Sequence, residues 1–231
     1  MQTAPRVNIE ALLSHVPLFN GLSQDELARI SRTTREIHAS KGDVLFRKGD
    51  PCDGFHLLVY GQVKLAMTSI QGNEKVVAIV SPGQSFGEAL MFMDSPYIVF
   101  AQALVDSLLL HIPKATIYDE LQHDPKLCHK MLAGMAMRLH ELMGDVEAYS
   151  LHSGTQRIIG YLLREISESD QNSKSVTVTL PTSKGVIASR LNLTQEHFSR
   201  ILHELITAGL IVVEGRVIRI KDVEALRQHE C

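Results

Sequence analysis

Hydrophobic and polar positions change their rhythm three times along the chain, and each change marks a different kind of element. From Lys41 to Ile112, short β-branched and apolar runs are punctuated by Gly42, Gly49, Gly54, Gly61, Gly72 and Gly83. Regular turn residues between runs of this length predict an all-β roll or barrel. Its clearest strands are Gly54 to Val59, Gln62 to Ala66, Glu74 to Val80 and Ser107 to Ile112, with Gln71-Gly72-Asn73 as a hairpin turn. Before the roll, Ser23 is placed to cap a short helix carrying Leu27 and Ile30, with Asp25 and Glu26 in its first turn.

After the roll the period lengthens. Cys128, Leu132, Met135, Leu139, Leu142, Val146 and Tyr149 alternate spacings of four and three, a heptad seam over three repeats. The pattern predicts a long dimerisation helix, with an amphipathic helix packed on its own domain as the alternative. A break at Ser150 to Gly154 serves as domain boundary and hinge, dividing the chain into residues 1–149 and 150–231. Ser153 then caps a helix that buries Ile158, Ile159, Leu162, Leu163 and Ile166.

Beyond a polar linker at Asp170 to Ser175, Val176 to Leu180 alternates as a strand. Ser183 to Leu191 and Thr194 to Ala208 follow as two helices separated by Asn192 and Leu193, with Gly209 as the stop. That is helix-turn-helix spacing. Leu210 to Val213 and Val217 to Ile220 flank Glu214-Gly215-Arg216, the pattern of a small hairpin or wing. The fold class is therefore α+β: a β-roll, a long helix and a C-terminal winged helix-turn-helix.

Composition narrows the function. The 231 residues are 45% hydrophobic, enough for two cores, and contain neither a membrane-length apolar run nor a signal sequence at Met1 to Pro5. No membrane association and a cytoplasmic location are expected. Cys52, Cys128 and Cys231 form no CxxC pair and no disulfide framework. The formal charge is -3. Residues 150–231 nevertheless carry 10 Lys+Arg against 9 Asp+Glu, making the C-terminal part the better candidate for DNA. No P-loop, nucleophile elbow, HExxH or paired catalytic carboxylates appear, which argues against an enzyme.

On the second helix of the helix-turn-helix, Phe198, Ile201, Leu202 and Leu205 share one side, whereas Glu196, Ser199, Arg200 and His203 share the other. Arg200 can donate two bonds to a guanine, Glu196 can accept from a cytosine amine, and Ser199 suits a base edge or a phosphate. Thr194 and Gln195 open the helix, where a hydroxyl and free N–H groups suit a phosphate. In isolation Glu196 and Arg200 also read as an i, i+4 ion pair on a solvated face. The preceding helix and following wing favour base reading.

With these residues the chain resembles the Crp/Fnr superfamily of dimeric regulators along nearly its whole length. The likeness rests on the glycine-punctuated roll, the segment Phe86-Gly87-Glu88-Ala89, the long helix, and Glu196, Ser199 and Arg200. It implies an effector pocket at Phe86 to Ala89 in a cyclic-nucleotide-binding-like roll. It also implies a homodimer, a double-stranded DNA operator bent by the winged helix, and RNA polymerase as partner if the protein activates. The Glu196, Ser199, Arg200 pattern resembles the Fnr branch, which implies a palindrome of TTGAT-like half-sites. Glu88 to Asp94 and His197 to Arg200 are similar to Dnr-type regulators of denitrification, which respond to nitric oxide through haem.

The resemblance also limits the effector. Relatives that bind cyclic AMP use an Arg-Ser pair after the Gly-Glu segment. Here Ser95 to Phe100 contains no arginine, and none occurs between Arg47 and Arg138, so cAMP is not expected. No cysteine precedes Cys52, which excludes an Fnr-type iron–sulfur cluster. Haem b remains the candidate cofactor, with His15 as its candidate ligand among His15, His38, His56, His111, His123, His129, His140 and His152. A second histidine of the Dnr pattern is replaced by Arg190. Met91 and Met93 read as core or interdomain packing, and Cys128 as a small buried residue of the seam. The rival reading is a haem or small-ligand carrier whose winged helix is a protein-interaction module.

Overall fold

The computed structural model describes residues 8–14, 19, 22–123, 125–167, 170 and 173–229. Two compact units emerge: Met1–Met67 with Val77–His140, and Thr68–Val76 with Glu141–Cys231.

The first unit opens with α1 (Ile9–Ser14) and α2 (Gln24–Thr33), and Ser23 and Glu26 form a reciprocal capping box at the start of α2. The roll consists of β1 (Arg35–Ala39), β2 (Val44–Phe46), β3 (Gly54–Tyr60), β4 (Val63–Thr68), β5 (Glu74–Val80), β6 (Ser85–Phe86), β7 (Phe100–Ala103) and β8 (Ser107–Pro113). Two four-stranded sheets run in the orders β1-β8-β3-β6 and β2-β7-β4-β5. Alternation along a strand divides their side chains between two cores. Leu58 and Leu109 join Phe46, Ala78, Val80 and Tyr97 inside the roll, whereas their neighbours Leu57 and Leu110 face a core with Leu13, Ile30, Ile117, Leu127 and Met131. This second core is capped by α1, α2, α4 (Lys114–His123) and the start of α5 (Pro125–Leu151). α3 (Glu88–Phe92) follows β6.

Gly61 shows why the roll needs glycine at a turn. Its φ is +96°, and a Cβ there would lie 2.1 Å from Ser107 Oγ, closer than real side chains approach. The four expected strands all form. β1, β2, β6 and β7 were not foreseen, since runs of two to five residues carry too few alternations to stand out.

The second unit contains the end of α5, then α6 (Gly154–Arg164), β9 (Val176–Thr179), α7 (Lys184–Arg190), α8 (Gln195–Thr207), β10 (Ile211–Glu214), β11 (Val217–Ile220) and α9 (Val223–Arg227). Ser153 caps α6 by accepting from Gln156 N–H, as the sequence suggests. The sheet order is β10-β11-β9, so the expected wing hairpin gains Val176–Thr179 as a third strand. Ile158, Leu162, Ile187, Phe198, Leu205, Ile218 and Leu226 form one core beneath the helices.

Among the described residues, no helix is long and apolar enough to cross a membrane, and no three His, Cys, Asp or Glu side chains are grouped to hold a metal ion.

Candidate nucleic-acid interface

α8 is fixed at its start by Thr194, an extended N-cap whose hydroxyl accepts from His197 N–H at 3.2 Å. Asn192 makes the turn from α7 with φ +58°, a left-handed conformation that asparagine tolerates. Phe198, Ile201, Leu202 and Leu205 are buried, which turns the opposite face outward. Thr194, Gln195, Glu196, Ser199, Arg200 and His203 are all exposed. The six expected contact residues therefore share one free surface. Arg200 pairs with Glu204 at 3.9 Å, so the i, i+4 partner lies after it on the helix rather than at Glu196. His197 is half-buried, with its ring near Gly154, and stands apart from that surface.

The C-terminal end of α7 would leave carbonyl groups unsatisfied, as any helix end does. Here several segments of the second unit satisfy them. Lys75 Nζ donates to the Ser189 and Arg190 carbonyls at 2.6 and 3.2 Å. Arg157 donates to the Leu191 and Asn192 carbonyls at 2.7 and 3.2 Å. Tyr149 Oη donates to the Arg190 carbonyl, and the Arg190 guanidinium pairs with Asp145 at 2.7 Å. Lys75 also lies 4.6 Å from the centre of the Tyr149 ring. Burial and the neighbouring Arg190 bring its amine down to about 8, with Asp145 acting the other way. No sequence pattern signalled this network, because its members are spread from Lys75 to Asn192.

In the first unit, Phe86 ends β6, Gly87 makes the bend, and Glu88 and Ala89 open α3. Gly87 has φ +101°, and Met91 N–H donates back to its carbonyl. Burial pushes the Glu88 carboxyl up, while hydrogen bonds from Ser85 and its own backbone, together with the charge of Arg138, pull the other way. Phe86 stacks on His56 with centroids 5.1 Å apart, and Phe46 stacks on Tyr97 at 3.5 Å. The roll interior beside the expected effector segment is thus occupied by the chain's own rings. His56 is buried with no partner at Nδ1, while His111 pairs with Asp53 at 3.1 Å. Burial, with the nearby His111, drives His56 down to about 3.

The other histidine expectations divide. His15 lies outside the described residues. His38, His129, His140 and His152 are exposed. Met91 is fully buried, as a core residue should be, but Met93 is exposed at the end of α3 and contributes no core packing.

α5 shows which face is left over after the first unit has packed. Leu127 and Met131 are buried, whereas Cys128, Leu132, Leu139, Leu142 and Val146 are exposed and Met135 is intermediate. Cys128 was expected to be buried in the seam. It lies on the seam face but is open in the single chain.

Comparison with known proteins follows the same division. Residues 36–124 match the cyclic nucleotide-binding domain, and residues 156–229 match the Crp-like helix-turn-helix domain. The anaerobic regulatory protein of Pasteurella multocida is 30% identical over 213 residues, covering 89% of this chain and 76% of that protein. The fumarate and nitrate reduction regulatory protein of Escherichia coli is 28% identical over 211 residues, covering 88% and 81%. Among solved structures, DNR of Pseudomonas aeruginosa is 33% identical across 100% of both chains, with a TM-score of 0.51. A CooA variant from Carboxydothermus hydrogenoformans has a TM-score of 0.75 over 98% of this chain and 97% of its own, at 18% identity, a likeness of fold alone.

Proposed function

The chain belongs to the Crp/Fnr family of DNA-binding transcriptional regulators, and from that premise we propose that it reads a palindrome of TTGAT-like half-sites as a homodimer under the control of an effector. One observation carries the DNA reading: Thr194, Gln195, Glu196, Ser199, Arg200 and His203 are exposed together on the face of α8 opposite its buried stripe. Arg200 supplies bidentate contact to guanine, Glu196 accepts from cytosine, and the first turn takes a phosphate. Two such helices reach successive major grooves when their half-sites lie about 34 to 36 Å apart.

The dimer forms along the exposed face of α5. Residues 1–149 sense and residues 150–231 read, with Ser150 to Gly154 as the hinge between the functions. Phe86 to Ala89 form part of the effector site, and occupation of the roll shifts α5 and hence the reading helices, a shift between populated states. Haem b, ligated by His15 and responding to nitric oxide, is the effector reading favoured by the likeness to DNR. The missing Arg-Ser pair and the ring-filled roll disfavour a cyclic nucleotide. The working location is the cytoplasm, and an activating role adds RNA polymerase as partner.

Fluorescence anisotropy on the TTGAT palindrome and on a scrambled duplex tests the reading. Arg200→Ala is expected to remove the preference while leaving salt-dependent binding to both. Retention of full preference overturns the assignment of α8. A haemin titration with and without His15→Ala, followed by nitric oxide, tests the effector. Absence of saturable binding overturns haem and leaves the DNA result standing.

A further inference from the structure

We propose that the tip between β4 and β5 is part of the DNA reader, with Ser189 and Lys75 positioning α7 and, through the Asn192-Leu193 turn, the reading helix. This rests on the DNA-reading function above but adds residues from the half of the sequence assigned to sensing. Residues Thr68–Val76 cluster with the second unit, while β5 continues at Val77 into the first. Ser189 Oγ donates to the Glu74 carbonyl at 3.1 Å and accepts from Val76 N–H at 2.9 Å. Those are the main-chain groups a neighbouring strand would engage, so one helix side chain takes the place of a strand partner. Lys75, between them, grips the Ser189 and Arg190 carbonyls.

Three consecutive residues of a strand are thereby joined to two consecutive residues of a helix. The other end of that strand is anchored: Ala78 and Val80 belong to the core inside the roll. A β-strand is stiff along its length, and a slip by one residue would put the wrong main-chain groups opposite Ser189. The tip of β5 therefore holds α7 within the second unit by contacts separate from those of α5. The contact positions rather than masks, because Glu196, Ser199, Arg200 and His203 remain exposed while it is closed. Asn192, held left-handed between the helices, has its carbonyl bound by Arg157, so the far side of the same turn is fixed as well.

The test compares the full-length protein with Ser189→Ala, Ser189→Thr and Lys75→Gln. It records amide exchange at Val76 and at Leu193 to Gln195, and anisotropy on the TTGAT palindrome and a scrambled duplex. Ser189→Ala is expected to speed exchange at both places about tenfold and to lower the preference for the palindrome about three- to tenfold, with scrambled-duplex affinity unchanged. Ser189→Thr keeps the hydroxyl and restores both readouts. Lys75→Gln reproduces the loss and decides the matter if Ser189→Ala fails to fold. Unchanged exchange, unchanged preference or tighter palindrome binding overturns the proposal, the last by making the hairpin a brake. If the wild type shows no preference for the palindrome, the DNA assignment fails, and exchange at Leu193 to Gln195 alone decides the clamp.

Discussion

The Tyr149 hydroxyl donates to the backbone carbonyl of Arg190 at 2.5 Å and accepts from the guanidinium of that same residue at 2.7 Å. One phenol thus engages both the main chain and the side chain of a single residue, at the end of α5 and the end of α7. Tyr149→Phe keeps the ring beneath Lys75 but removes one of the donors to the Arg190 carbonyl and one of the acceptors of its guanidinium, leaving Lys75 and Asp145 as their remaining partners. We expect a loss of about 1 to 2 kcal/mol in chemical denaturation, with an unchanged denaturant slope.

Removing Asp145 should act more strongly than its surface position on a helix suggests. Its carboxylate and the Arg190 guanidinium are both largely shielded, with side chains 18% and 24% exposed. Asp145→Ala leaves the cation in place without its counter-charge, and about 1 to 3 kcal/mol is the expected penalty. A double-mutant cycle with Arg190→Met separates the pair from its context. Additive losses would show that the two residues act independently.

On α8, Glu204 is the acid paired with Arg200, and both side chains are more than half exposed. Such a pair contributes little to folding. Glu204→Gln should leave the melting temperature within about 1 °C while strengthening DNA binding about two- to fivefold, since it removes a negative charge beside phosphate. A weaker complex would mean that Glu204 itself contacts DNA.

The seam of α5 makes a different prediction. Leu139 and Val146 are 61% and 64% exposed in the single chain, so polar replacements there cost the isolated fold little. Leu139→Glu with Val146→Glu should convert dimer to monomer in sedimentation velocity, with the roll still folded and palindrome binding lost. A dimer that survives both changes uses another surface.

The buried histidine of β3 gives a signed pH effect. His56 falls from its ordinary 6.5 to about 3 in the folded protein, because burial and the nearby His111 oppose its charge while Asp53 only partly favours it. The unfolded chain then binds a proton more readily than the folded one between these values. Stability should be full above about pH 6.5 and decline as pH falls toward 3, by an upper bound of about 5 kcal/mol. His56→Leu should flatten that limb of a stability-against-pH curve. An unchanged slope would assign acid sensitivity to other groups.

What the sequence disclosed and what it hid follow from the range of the interactions. α8 was legible because Thr194, the stripe Phe198, Ile201, Leu202 and Leu205, and Gly209 are local signals within a few turns. α5 was legible as a helix and a seam, but the choice of faces needed the burial of Leu127 and Met131. The bond between Ser189 and Glu74 spans 115 residues, and neither residue type is unusual where it stands. Arg190 looked like the mere absence of a histidine. In the fold it is held by Asp145 and Tyr149 beside the reading motif.

The clamp on α7 also bears on how freely this reader could be exchanged among proteins. A fragment beginning at residue 150 would keep Arg157 but lose Lys75, Asp145 and Tyr149, and with them the side-chain donors to the Ser189 and Arg190 carbonyls. Joined to a foreign sensor, it could retain the winged-helix core and the α8 face yet inherit a loosened first helix. Portability in this chain is thus a property of a discontinuous piece: a recombination point at the hinge alone would transfer the alphabet without the hand that steadies the page.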